Sequence, residues 1–190
     1  MTNKRISSMT FSRTRQKRVA LAVTTALVSF SASSAVAQTV TFSADATVAA
    51  VNTAIATQQA TPSANIGIAL NSPANITGGG NVFLAPLAAG QGDGAISLTT
   101  SATLGTTAAP VGVSLVGVNS KVAANTATIT NTGVVTGGVS AANFGGNVSV
   151  TNGGTIEGLV NATGYGDVSV GNSAGAKIND PVAVTALSTT

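Results

Sequence analysis

The 190-residue chain has no cysteine, histidine or tryptophan, and only 7% of its residues are charged against 44% hydrophobic. A disulfide framework and thiolate chemistry are therefore excluded. Six of its eight basic residues (Lys4, Arg5, Arg13, Arg15, Lys17, Arg18) stand in the first eighteen positions, and beyond Ala37 only Lys121 and Lys177 oppose Asp45, Asp93, Glu157, Asp167 and Asp180, so the weakly acidic remainder offers no basic face for a nucleic-acid partner.

Residues 1–37 read as a secretory signal peptide. The basic segment ends at Arg18, and the apolar run 19–30 (VALAVTTALVSF) is shorter than the roughly twenty residues a membrane span takes. Ala35, Val36 and Ala37 supply the small residues a signal peptidase needs, which places cleavage before Gln38. An uncleaved membrane anchor is the alternative, and the short run argues against it. Arg13 and Arg15 are separated by Thr14, so the general secretory route is expected rather than a twin-arginine one. The mature chain, from Gln38 onward, is long enough for one domain, and no transmembrane segment is expected in it.

Residues 38–125 are expected to form an N-terminal cap and an irregular β region. Segment 38–42 (QTVTF) alternates as a strand does. Val48, Val51 and Ile55 then fall at helical spacing behind Thr47, a cap residue. A short helix there would cover the open end of a solenoid, while high β-branched content leaves an irregular strand as the other reading. Segments 66–70, 82–84, 95–98 and 111–115 are strand candidates, broken by Gly-rich stretches at 78–80 and 90–94. No clean register of twenty residues runs back through this part, so either its coils vary in length or it is a separate β cap.

Residues 126–190 carry an internal repeat. Segments 127–139 (ATITNTGVVTGGV), 148–160 (VSVTNGGTIEGLV) and 168–178 (VSVGNSAGAKI) align at offsets of 21 and 20 residues. Ile129, Val150 and Val170 share one column, Asn131, Asn152 and Asn172 another, and Val135 and Ile156 a third. Within each unit apolar residues alternate with Thr or Ser, then Asn and Gly turn the chain into a second and third short strand. One such unit cannot bury its apolar face alone, so units must stack at about 4.8 Å each. The fold predicted is all-β: a parallel β-helix with coils of about twenty residues, whose core stack is Ile129, Val150, Val170, Val135 and Ile156 and whose Asn column forms a structural ladder. A ligand-binding Asn face is the rival reading.

Segments 127–147 and 148–167 resemble the passenger β-helix of bacterial autotransporters and related filamentous-haemagglutinin-like surface proteins. The resemblance implies a cell-surface or extracellular location on a Gram-negative bacterium, with host or surface glycans and proteins as partners. Autotransporters of this type carry a translocator barrel, and no barrel-like strands follow Lys177.

Residues with chemistry are sparse. The Gly-Asp turns at 90–94 and 164–167 only faintly match a calcium-binding repeat, which needs tandem copies. Five scattered acids without a single His leave little from which to build a glycan-cleaving site. No catalytic, metal or cofactor site is expected. Phe144 and Tyr165 align in the wide turn and read as a stack rather than a sugar platform. The outward positions Thr128, Ser149 and Ser169 match the polar face of any soluble strand. The function expected is an exported structural or adhesive module. Self-association into an extracellular fibre is the alternative, and a carbohydrate-active enzyme comes third.

Overall fold

The computed structural model describes residues 38–59, 65–86, 95–117 and 126–187. Residues 1–37, read above as a secretory signal and including Ala35 and Ala37, lie outside them. The described chain winds into six coils. The first holds β1 (Gln38–Phe42), β2 (Ala46–Thr47) and the helix α1 (Val48–Gln59). The second holds β3 (Asn65–Leu70), β4 (Asn75–Thr77) and β5 (Gly80–Leu84), and the third β6 (Ala95–Thr100), β7 (Thr103–Thr106) and β8 (Ala109–Val116). The fourth is β9 (Thr126–Asn131), β10 (Val134–Val135) and β11 (Val139–Asn143). The fifth is β12 (Asn147–Asn152), β13 (Thr155–Ile156) and β14 (Val160–Gly164), and the sixth β15 (Val168–Asn172), β16 (Lys177–Ile178) and β17 (Val182–Ala186).

Each strand pairs in parallel with its counterpart one coil away, giving three faces. The first is β1-β3-β6-β9-β12-β15; β2, β4, β7, β10, β13 and β16 make the second, and β5, β8, β11, β14 and β17 the third. The protein is a parallel β-helix. Alternation along every strand sends one set of side chains inward. Val40, Ile68, Leu98, Ile129, Val150 and Val170 follow one another down the first face, and Ile76, Leu104, Val135, Ile156 and Ile178 down the second. All but Val170 and Ile178 are fully buried, and those two pack against the core in the last coil.

The coils run back to Gln38, and β6 pairs with β9 directly across 125/126. Gln38 pairs with Ile66, Ile66 with Ile96, Ile96 with Ala127, Ala127 with Val148 and Val148 with Val168, offsets of 28, 30, 31, 21 and 20 residues. Coils of about twenty residues are thus confined to the C-terminal half. The extra length falls chiefly between a third-face strand and the first-face strand of the next coil. That passage takes residues 85–94 and 117–125 in the second and third coils, but only 144–146 and 165–167 in the fourth and fifth. In the third coil β7 and β8 also pair antiparallel, Gly105 with Pro110 and Thr106 with Ala109, which pushes a small hairpin out of the second corner.

The N-terminal end is closed by α1. The Thr47 hydroxyl accepts the Ala50 N–H at 3.2 Å, as an N-cap does, and Val48, Val51 and Ile55 are buried on the core. Where a strand of the first coil would pair with β5, the Asn52 side chain takes its place: Nδ2 donates to the Asn81 carbonyl at 2.9 Å and Oδ1 accepts the Phe83 N–H at 3.0 Å. Gln59 Nε2 donates to the Ala85 carbonyl. Two side-chain amides thereby satisfy part of an edge that would otherwise be open to another strand.

Candidate functional site

The first corner is built around asparagine. Asn131 Nδ2 donates to Asn152 Oδ1 at 2.7 Å, and Asn152 Nδ2 donates to Asn172 Oδ1 at 2.7 Å. Asn131 and Asn152 have no exposed surface. Each Oδ1 also accepts the N–H two residues on, Gly133 at 3.0 Å and Gly154 at 3.2 Å, which is the local turn that short polar side chains favour. The remaining amide hydrogens go to backbone oxygens of the next coil, Asn131 Nδ2 to Thr155 at 3.2 Å and Asn152 Nδ2 to Lys177 at 3.0 Å. The glycines are required by the stacking: a Cβ on Gly154 would collide with the Gly133 carbonyl, and one on Gly133 with that of Ala102. One coil earlier, Thr100 occupies the column and its hydroxyl accepts the Ala102 N–H at 3.2 Å. Every polar atom here has a protein partner. The corner is therefore structural, and Asn172, exposed in the last coil, hydrogen-bonds the Ala176 carbonyl at 3.0 Å.

A third buried asparagine, outside this column, is one that the repeat alignment does not single out. Asn143, fully buried at the third corner, donates from Nδ2 to the Asn147 carbonyl at 3.0 Å and accepts the Gly145 N–H at 3.3 Å. Its signal was the local Asn-x-Gly spacing shared with Asn131 and Asn152. Just beyond it, Phe144 and Tyr165 take equivalent places on consecutive coils, 39% and 43% exposed, and the Tyr165 N–H bonds the Asn143 carbonyl at 3.3 Å.

The described acids form no cluster of three or more potential metal ligands, although Glu157 and Asp180 lie at the same corner on adjacent coils, each just past the paired residues Ile156 and Ile178. Asp45, at the first corner, accepts the Asn75 N–H at 2.8 Å and the Asn75 Nδ2 at 3.1 Å. Glu157 precedes β14 and Asp167 follows it, so a five-residue strand of about 17 Å lies between them, well beyond the separation at which two carboxylates act on one glycosidic bond, about 5–10 Å. Asp93 lies outside the described residues, as does the 90–94 turn.

A concave surface lies on the third face. A groove of about 330 Å³ runs over β8, β11 and β14, lined among others by Asn81, Ser114, Gly138, Ser140, Leu159 and Asn161. Ser114, Ser140 and Asn161 are register partners on successive strands, so their side chains form an outward row at the strand spacing, about 4.8 Å. Gly112 lies under the Asn81 side chain, leaving no room for a Cβ, and Gly138 lies against the Leu159 backbone. Leu159 walls one end at 48% exposure; Phe83, the register partner of Ser114, is 46% exposed beyond the other. Among the described residues no charged side chain lines the groove. Hydroxyls and amides in a row over a glycine floor can hydrogen-bond a neutral polar ligand, but nothing there can transfer a proton at neutral pH. A glycine inside the strand at Val111-Gly112-Val113 was the available signal, since an interior strand glycine marks a close approach.

Among the described residues no helix is long and apolar enough to cross a membrane, and no cluster of three or more potential metal ligands occurs. Comparison with protein-family models, with curated proteins and with solved structures gives no significant match to this chain.

Proposed function

We propose that the chain is an exported, non-catalytic β-helix module of the cell surface or extracellular space, structural or adhesive in role, of the autotransporter-passenger and filamentous-haemagglutinin-like kind. The observation that carries this reading is a continuous β-helix whose outward rows on the first face are Thr, Ser, Asn, Ala and Gly, with the described acids confined to its corners. The signal-like segment ahead of Gln38 supports export. The uncharged groove supports a neutral glycan of a host or neighbouring surface as ligand, because hydroxyl and amide rows exchange hydrogen bonds with sugar hydroxyls without desolvating a charge.

Export is tested by N-terminal sequencing of the secreted protein: the first residue is expected to be Gln38, and recovery of Met1 on the exported chain refutes the cleaved signal. Adhesion is tested on immobilised neutral glycans. Ser140→Glu, which puts a charge in the groove without entering the core, is expected to abolish retention, whereas Ser149→Glu on the first face leaves it unchanged. Equal retention of both variants removes the groove from the account.

A further inference from the structure

The groove on the third face is longer along the helix axis than along the strands. Asn81 of β5, Ser114 of β8, Ser140 of β11 and Asn161 of β14 belong to four successive coils, a reach of about 14 Å at the coil spacing. Across that direction each coil lends at most three consecutive positions, as at 138–140, which is about 7 Å of strand. The volume of about 330 Å³ suits a short length of linear chain rather than a globular partner. The asparagine corner uses all its polar atoms within the protein, and the groove does not. Among the described residues no protein hydrogen bond engages the Ser114 or Ser140 hydroxyl, the Asn81 side chain or Asn161 Nδ2, while Asn161 Oδ1 accepts the Thr163 hydroxyl at 3.4 Å.

Resting on the neutral-glycan reading above, we propose that this groove selects its ligand by linkage. The ligand is an extended, β-1,4-linked chain of neutral pyranoses lying along the helix axis, with one ring over each of β8, β11 and β14. In such a chain both bonds to every ring are equatorial, so the chain is a flat ribbon. Its advance per ring is close to one coil step, about 4.8 Å. Hydroxyls line the two edges of the ribbon and C–H groups cover its faces. One edge therefore meets Ser114, Ser140 and Asn161 in turn, each a register partner of the last, with hydrogen bonds to groups that can both donate and accept. The half-exposed Leu159 side chain lies at one end of the groove, where it meets a ring face. An α-1,4-linked chain has an axial bond at every linkage and coils, so successive rings turn away from a straight row and the hydroxyl edges lose their register with the coils.

The test uses trisaccharides of equal length that differ in linkage, titrated calorimetrically into the full chain. The β-1,4-linked trisaccharides of glucose, mannose and N-acetylglucosamine form one set, and the α-1,4- and α-1,6-linked trisaccharides of glucose the other. At least one of the first set is expected to bind roughly tenfold or more tighter than either of the second, the worth of one or two hydrogen bonds. That trisaccharide should also bind tighter than its own disaccharide. Asn161→Ala, on the outward side of β14 and so without effect on the circular dichroism, should remove this advantage by taking away the third position of the row, whereas Ser149→Ala on the first face should preserve it. Equal binding of the α-linked set overturns the linkage selection and leaves the neutral-glycan reading standing. A trisaccharide that binds no better than its disaccharide, or an advantage that survives Asn161→Ala, overturns the placement of one ring on each coil. Binding of no trisaccharide in either set overturns both this inference and the glycan reading beneath it.

Discussion

The Asn column converts into a measurable difference between two otherwise identical substitutions. Asn152 is fully buried; its Oδ1 accepts from Asn131 and from Gly154 N–H, and its Nδ2 donates to Asn172 and to the Lys177 carbonyl. Asn152→Ala removes both ladder bonds and leaves the Gly154 N–H without its acceptor in a dry corner. Net hydrogen bonds contribute about 1 kcal/mol each, and an unsatisfied buried group costs about 1–3 kcal/mol, so a loss of roughly 3–4 kcal/mol follows. Asn172 is exposed and loses only its bonds to Asn152 and to the Ala176 carbonyl. Water replaces much of that, so Asn172→Ala should cost about 1 kcal/mol. In urea, where a slope of about 1–3 kcal/mol per molar is usual, the two midpoints should differ by roughly 1–2 M. The last coil can also fray on its own, which lowers the Asn172 effect further. Indistinguishable midpoints at matched protein concentration would refute the claim that the ladder carries stability.

Two further substitutions probe other parts of the coil. Val150 is fully buried in the middle of the first-face column, so Val150→Asp should cost several kcal/mol, whereas Ser149→Asp on the outward side should stay within about half a kcal/mol; equal urea midpoints would show the inward-outward assignment to be wrong. Asn52→Ala should cost about 1–2 kcal/mol by unsealing the β5 edge, and hydrogen exchange at the Phe83 N–H should accelerate more than at Leu98 in the neighbouring sheet.

The legible part of the fold was the part in which coil length is constant. Ile129, Val150 and Val170 could be aligned by eye because three-residue corners at 144–146 and 165–167 keep the period near twenty. Upstream, Val40, Ile68 and Leu98 continue the same column, but the inserted corners and the 105–110 hairpin shift each by about ten residues, and a fixed-period reading loses them. The helix was legible from Val48, Val51 and Ile55, though its extension to Gln59 was not, because Gln58 and Gln59 are polar residues buried against the cap. Strands β2 and β4 were missed for another reason. At two and three residues they are too short to show alternation, and only their neighbours hold them straight. The groove is a property of register among three coils. Ser114, Ser140 and Asn161 stand far apart along the chain and share no local motif, so only the stacked structure brings them into one row.

Register itself explains why the third inward column of the first face changes character. Down that column stand Phe42, Leu70, Thr100, Asn131, Asn152 and Asn172. In the first coils large apolar side chains fill the space and insertions at the corners give each strand its own boundaries. The later strands are nearly interchangeable: TATITN and VSVTN-type segments differ little in pattern. A slip of one residue between β9 and β12 is prevented because it turns every buried side chain outward. A slip of two residues keeps the alternation intact and would go almost unpunished by apolar burial alone. Asparagine supplies the missing penalty. With β12 displaced by two residues, Asn152 would no longer sit beside Asn131, and each amide would face a valine, an isoleucine or empty space with its hydrogen bonds unmade, at about 1–3 kcal/mol for each orphaned group. The polar column thus appears where the sequence is most repetitive, and there it does for alignment what size and loop length do further up the chain.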